Sequence, residues 1–256
     1  MFKRDRQNQV AAAFAEGQQA LAAEDWWAAF RAFERAVKLD PNYRNEGVSL
    51  YGGLALAEEK LLHLTEGAKH YSLALELEGP KAEYYFGRAE CLSIVGHDDD
   101  ATLADLDKAI SLRPGVADWH DLRAEHLALR HDRYDDALKD LEIVLADDPH
   151  DPDALGLRGF IKFNLAQYEE ARPDLVAGLD SENEYNARLM LAMIASIQGE
   201  TDAALGHIET LLAEAPFFWE TICEHAHFAL LQSHPRFLTL LSAAQEREPA
   251  LDAAVC

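Results

Sequence analysis

The sequence predicts an all-α chain of six to seven stacked helix pairs, and three regularities predict it: a recurring helical frame, a recurring small residue and a recurring proline. The frame is plainest in DRYDDALKDLEIVLADDP, residues 132–149, where Tyr134, Ala137, Leu141 and Val144 follow one another at helical spacing. Residues three and four apart share one face of an α-helix, so these four are expected to be buried together. The frame returns at Ala29, Phe33, Ala36 and Pro41, at Thr102, Leu106, Ala109 and Pro114, and at Ala204, Ile208, Leu211 and Pro216. Weaker copies place Gly67, Tyr71 and Ala74, and Ala171, Leu175 and Gly178.

Pro41, Pro80, Pro114, Pro149, Pro216 and Pro249 are separated by 39, 34, 35, 67 and 33 residues, the 67 being two periods with one proline missing. Each proline lacks an amide donor and discourages helix in the residue before it, so every unit carries its own stop. Upstream of each frame lies a second helical pattern centred on Gly17, Ala55, Ala89, Ala124, Gly159 and Ala192, spaced 38, 34, 35, 35 and 33 residues apart. A small residue there lets two helix backbones approach closely. One such pair cannot bury its apolar face alone, so the units must stack.

These motifs resemble the tetratricopeptide repeat (TPR) family, whose 34-residue helix-turn-helix units carry a bulky residue, then Leu-Gly or Leu-Ala, then Ala, an aromatic, Ala and Pro. The resemblance covers residues 10–216 as six units, at about 10–43, 48–80, 82–115, 117–150, 152–184 and 185–217, preceded by a tail at 1–9. Residues 218–249 read as a degenerate seventh pair or cap, with Pro235 at the start of its second helix, and 250–256 as a tail. Extra residues in PNYRNEG (41–47) and Pro173 inside a second helix depart from the pattern, and the latter predicts a kink. What the resemblance implies is a right-handed superhelical solenoid whose first helices line a concave groove. It also implies a non-enzymatic adaptor or scaffold that binds a protein or peptide. The alternative is an assembly factor or oligomeric structural component acting through its caps, and the sequence leaves the oligomeric state open.

Forty-six acidic against 23 basic residues give a formal net charge of −23, which opposes nucleic acid and anionic membrane surfaces and favours basic partners. The chain lacks the ~20-residue apolar run of a membrane span, and the apolar stretch VAAAFA before Glu16 is too short for a signal peptide. Cys91, Cys223 and Cys256 are widely separated and odd in number, as suits a reducing cytoplasm.

Chemistry-bearing motifs are sparse. The densest is CEHAH; on a continuous helix Cys223 and His227 share a face while His225 points away, which presents neither a catalytic triad nor three zinc ligands. The runs Asp98–Asp100, Asp135–Asp136 and Asp147–Asp148 lack the alternating oxygen ligands of a calcium loop, and the first two sit where second helices begin, where carboxylates complement the helix dipole. YGGLA has no lysine after it and lies within a first helix, so it is not a phosphate loop. No catalytic, metal or cofactor residue is assigned.

Two patterns remain. Three units have arginine just before the small residue of the first helix, Arg88, Arg123 and Arg158, and the same three have aspartate in the second helix, Asp105, Asp140 and Asp174. Their joint occurrence predicts structural ion pairs, because an unpaired buried charge is costly. The second pattern is the stripe of first-helix residues off the packing face. In the middle units it carries Glu83, Phe86, Glu90, Asp118, Asp121 and Glu125; further on it carries Asp153, Phe160, Phe163, Leu189 and Met193. With no lysine or arginine on any stripe, the expected ligand is a basic segment with an apolar anchor, and Glu90 and Glu125 are expected to share its cation.

Overall fold

The computed structural model describes residues 2–43, 50–96, 99–181 and 183–252, with side chains described over 5–247. Part of the insert after Pro41, Asp98 and Cys256 lie outside the described residues. The chain forms two compact units, residues 1–132 and 133–256.

The first unit contains α1 (Phe2–Ala22), α2 (Trp26–Leu39), α3 (Leu50–Lys60), α4 (Leu64–Glu78), α5 (Ala82–Val95), α6 (Asp99–Leu112) and α7 (Ala117–Leu129). Consecutive helices pack on one another throughout it. The frame residues are its core: Ala29, Phe33, Ala36, Thr102, Leu106 and Ala109 are fully buried. The small residues work as spacing requires. A Cβ on Gly17 would lie 2.9 Å from the Phe33 ring and one on Gly53 2.5 Å from it, so the aromatic of α2 fills the space that glycines on α1 and α3 leave open. Phe14 meets the same ring edge-to-face at 5.9 Å.

α1 starts at Phe2, so residues 2–9, expected as a tail, are helical. Arg6 Nε donates to the Leu39 carbonyl at 2.7 Å, satisfying an acceptor at the C-terminal end of α2 that has no partner within its own helix.

The second unit contains α8 (Tyr134–Asp147), α9 (Pro152–Asn164), α10 (Tyr168–Ala177), α11 (Glu184–Ile197), α12 (Thr201–Glu214), α13 (Trp219–Glu224) and α14 (Pro235–Asp252). In α8, Ala137, Leu141 and Val144 are buried and Tyr134 half-buried, while Asp135 and Asp136 occupy its first turn. Asp148 instead accepts from the His150 amide at 2.9 Å, forming a turn after the helix. Asp136 also pairs with Arg133 and Lys139, and Asp135, Glu142 and Asp147 are exposed, so these carboxylates serve helix ends, local ion pairs and solvent, whereas Asp140 is buried. α9 opens with Pro152 behind an Asp151 cap whose side chain accepts from the amides of Asp153 and Ala154. α10 stays helical through Pro173 but spans only 10 residues, against 14 in α8 and α12, and passes into a 3-10 turn at Gly178–Asp180. α14 begins at Pro235 and reaches Asp252, so residues 250–252, also expected as tail, are helical.

One backbone feature repeats with the period. The turn from first to second helix carries a left-handed residue each time: Glu24, Leu62, Gly96, Asp132, Ala166 and Gly199, with φ of 55, 61, 70, 52, 57 and 77°. Only Gly96 and Gly199 adopt this region without strain. At Glu24, Leu62 and Ala166 the turn geometry is thus imposed by the pairing of the helices on either side, although the local residue opposes it.

Candidate functional site

The first unit holds a cavity of about 430 Å³ on the exposed face of its first helices. Lys60 comes to it from α3, Phe86, Glu90, Ser93 and Ile94 from α5, and Asp118, Asp121 and Leu122 from α7. Phe86, Glu90 and Ser93 sit at spacings of four and three, so one helical face of α5 forms its floor. Phe86 is held flat by stacking on Trp119, with ring centroids 5.3 Å apart and planes 24° apart.

Glu90 is half-buried there and has no hydrogen-bond or ion-pair partner among the described residues. Burial, then the negative charges of Glu59 and Asp118, which together exceed the relief from Lys60, push its carboxyl up to about 7. Lys60 is already engaged: its Nζ lies 2.6 Å from Glu59 Oε1, while Glu59 Oε2 accepts from the Tyr71 hydroxyl at 2.7 Å.

The structure changes three expectations about this face. Basic groups do reach it, although no stripe contains one. Lys60 enters the cavity from the last turn of α3, and Arg113, beyond the end of α6, donates to Glu83 at 2.8 Å and stands 4.5 Å from the Trp119 ring centroid. Glu83 therefore already has a basic partner, in an exposed pair. Glu125 is exposed and outside the cavity lining, so the acids that share the cavity with Glu90 are Asp118 and Asp121.

The arginines take structural partners. Arg88 grips Asp105 with two hydrogen bonds of 2.6 Å, Nε to Oδ2 and a terminal nitrogen to Oδ1, and its other terminal nitrogen donates to Ser72 Oγ at 3.0 Å. This ties α5 to both α4 and α6. Arg158 grips Asp174 in the same fork, at 2.8 and 2.6 Å, and Lys162 adds a third bond at 2.8 Å. Burial works against the Asp174 carboxylate, but these cations outweigh it and hold the group below its ordinary range. Arg123 donates to Asp107 at 2.7 Å within the first unit; Asp140 lies buried in the second.

In the second unit the apolar stripe is largely covered. Leu189 and Met193, expected to meet a ligand, are buried among Phe228 and Leu231. Those two come from a 3-10 segment, Ala226–Leu231, that packs on α11, where Ser196 Oγ also donates to the His227 carbonyl at 2.7 Å. Phe163 lies half-buried between Tyr168 and His227, at 5.7 and 5.8 Å. Phe160 is half-buried and Asp153 exposed on α9.

The same segment corrects the reading of CEHAH. The chain leaves the helix at His225, with φ −74° and ψ 127°, and the His225 ring caps the new segment by accepting from the His227 amide. His225 and His227 therefore stack at 4.8 Å instead of pointing apart, and burial, then the neighbouring His227, lowers the His225 pKa. Burial of Phe228 and Leu231 against α11 accounts for the break, since the sequence there holds no proline or glycine. No cluster of three or more potential metal ligands occurs among the described residues, nor is any helix among them long and apolar enough to cross a membrane.

Consecutive packed helices with small residues where they meet are the fold that solved tetratricopeptide repeat proteins share with this chain. A tetratricopeptide repeat protein from Parabacteroides merdae superposes with a TM-score of 0.64 at 13% identity over 94% of each chain. Pseudomonas aeruginosa pilF gives 0.61 at 15% identity, covering 90% of this chain and 99% of its own. YrrB, described as a TPR protein with an unusual peptide-binding site, gives 0.56 at 17% identity over 67% of this chain and 85% of its own. No protein-family model matches the sequence, and no curated protein does.

Proposed function

We propose that the protein is a non-enzymatic adaptor that holds a protein or peptide partner, and that the exposed face of α3, α5 and α7 receives a basic side chain of that partner with an apolar residue beside it. The observation that carries this reading is Glu90: a half-buried carboxylate without a partner, in a cavity that also contains Asp118 and Asp121 and is walled by Phe86, Ile94 and Leu122. A lysine or arginine stem fits such walls while its charged end meets the acids, and the surplus of acids over bases in the whole chain steers such a segment toward it. The peptide-binding site ascribed to YrrB supports the use of this fold for holding a segment. Phe160, Phe163 and Asp153 on α9 form a separate candidate contact in the second unit.

The test is capture of partners by the immobilised protein beside its Glu90→Lys, Asp118→Lys double variant, with the bound segment mapped on each partner. Support requires partners lost from the variant whose mapped segment holds lysine or arginine next to a large apolar residue. Partners that ignore the double change place the interface elsewhere. The exposed Phe217, Leu230 and Leu238 of the C-terminal cap then become the next candidates, and self-association through them would appear in the size-exclusion mass.

A further inference from the structure

We infer that the first unit's cavity is a proton-exchange site, in which a cationic side chain of the partner displaces the proton carried by Glu90. This rests on the reading above that the cavity receives a basic residue, and it adds a dependence on pH that the reading alone does not contain.

The geometry leaves Glu90 in need of a cation. Facing it from α3 are Glu59 and Lys60, from α4 Tyr71, from its own helix Cys91, and from α7 Asp118 and Asp121. On α6, which packs on the other side of α5, Asp105 is occupied by Arg88. The basic group in the cavity, Lys60, is bound to Glu59, and Glu59 uses its remaining oxygen on Tyr71. Glu90 thus has one carboxylate near it from α3 and another from α7, and neither hydrogen bonds nor an ion pair of its own among the described residues. Holding a proton is how a carboxyl group in that position avoids an unpaired charge.

An arriving ammonium or guanidinium supplies the missing partner. Where Glu90 is protonated, the carboxylic acid becomes a carboxylate paired with the ligand's cation and its proton leaves to solvent, so the release per ligand falls from nearly one proton at pH 6 to nearly none at pH 8. With a midpoint of about 7, Glu90 is ionised in roughly one-tenth of molecules at pH 6 and nine-tenths at pH 8. Because apparent affinity scales with the competent fraction, it rises about tenfold over that interval.

The probe is an acetylated, amidated and fluorescently labelled nonapeptide with lysine and leucine at its centre and glycine and serine around them, so that it has no group of its own titrating between pH 6 and 8. Two measurements are made on the whole chain and on Glu90→Gln: the side-chain carboxyl carbon resonance of Glu90 against pH by NMR, and peptide affinity by anisotropy at pH 6, 7 and 8. The variant retains every histidine, so a slope seen in wild type and absent from it belongs to Glu90. Expected are a midpoint near 7 that falls by about two units or more on saturation with peptide, a rise in affinity of about tenfold from pH 6 to 8, and a flat profile in the variant. A Glu90 midpoint near 4.5, or equal slopes in both proteins, overturns the exchange while leaving the basic-segment reading intact. Absence of peptide binding at every pH, with Glu90 still titrating near 7, overturns that reading and the exchange with it.

Discussion

Replacing Arg88 by methionine removes a cation from an aspartate that is 5% exposed, and the structure sets the scale of the loss. Two hydrogen bonds of 2.6 Å to Asp105 disappear, as does the bond to Ser72. Stripping one partner from a buried ion pair costs about 3–5 kcal/mol. The Arg88 side chain is 25% exposed, so water follows into the vacated space and the expected loss falls to about 2–3 kcal/mol. The double variant Arg88→Met, Asp105→Leu removes both charges and fills the site with apolar atoms, and should lie within about 1 kcal/mol of wild type. Coupling between the two positions is the sum of the two single losses less that of the double variant, so it is at least about 2 kcal/mol once the loss in Asp105→Leu alone is added, above the range of exposed pairs. Urea denaturation followed by circular dichroism gives the free energies. Because a repeat stack can unfold in parts, hydrogen exchange of α5 and α6 amides must report the same order of variants. Coupling below about 0.5 kcal/mol, or coupling abolished by added salt, would refute the bridge as a semi-buried tie between α4, α5 and α6.

Three further outcomes follow from single features. Glu90→Gln should stabilise the first unit by about 1–2 kcal/mol at pH 8, an allowance already reduced for partial exposure, and by nothing at pH 4. The native state holds the Glu90 proton more tightly than the unfolded chain, so stability falls as pH rises from about 4.5 to about 7, and thermal melts across that window check the sign. Ala166→Gly should raise stability by about 0.5–1 kcal/mol because the turn holds a φ of 57°, and loss of stability in urea denaturation would show that the left-handed backbone is not strained there. For the Arg158, Asp174 and Lys162 cluster the pH sign is opposite to that of Glu90. Asp174 is held below its ordinary range, so its contribution is present above about pH 4 and lost on further acidification; Asp174→Asn should flatten this part of the acid limb of the stability curve, which urea melts at stepped pH would reveal.

The helix pairs were legible because a buried helix face is a short-range property. Spacings of three and four residues state which side chains go inside, and Ala204, Ile208 and Leu211 are as buried as Phe33 is, five periods apart in the family of frames. The pairing of Arg88 with Asp105 was legible from a different signal, the joint presence of the two residue types in some units and their joint absence from others. What periodicity does not carry is which neighbour arrives over a face once it points outward. Lys60 ends its helix beside Glu90, Arg113 reaches Glu83 from the turn beyond α6, and the segment after His225 folds Phe228 and Leu231 onto Leu189 and Met193. Each of these contacts joins residues about 30 or more apart in sequence, and after His225 burial of the arriving side chains outweighs local preference, to the point of breaking a helix. The sequence alone determined the helical character, the period and the inner faces of the helices. Tertiary structure alone decided which outward-facing residues stay open, because that depends on how distant helices meet and on which charges their meeting leaves without a partner.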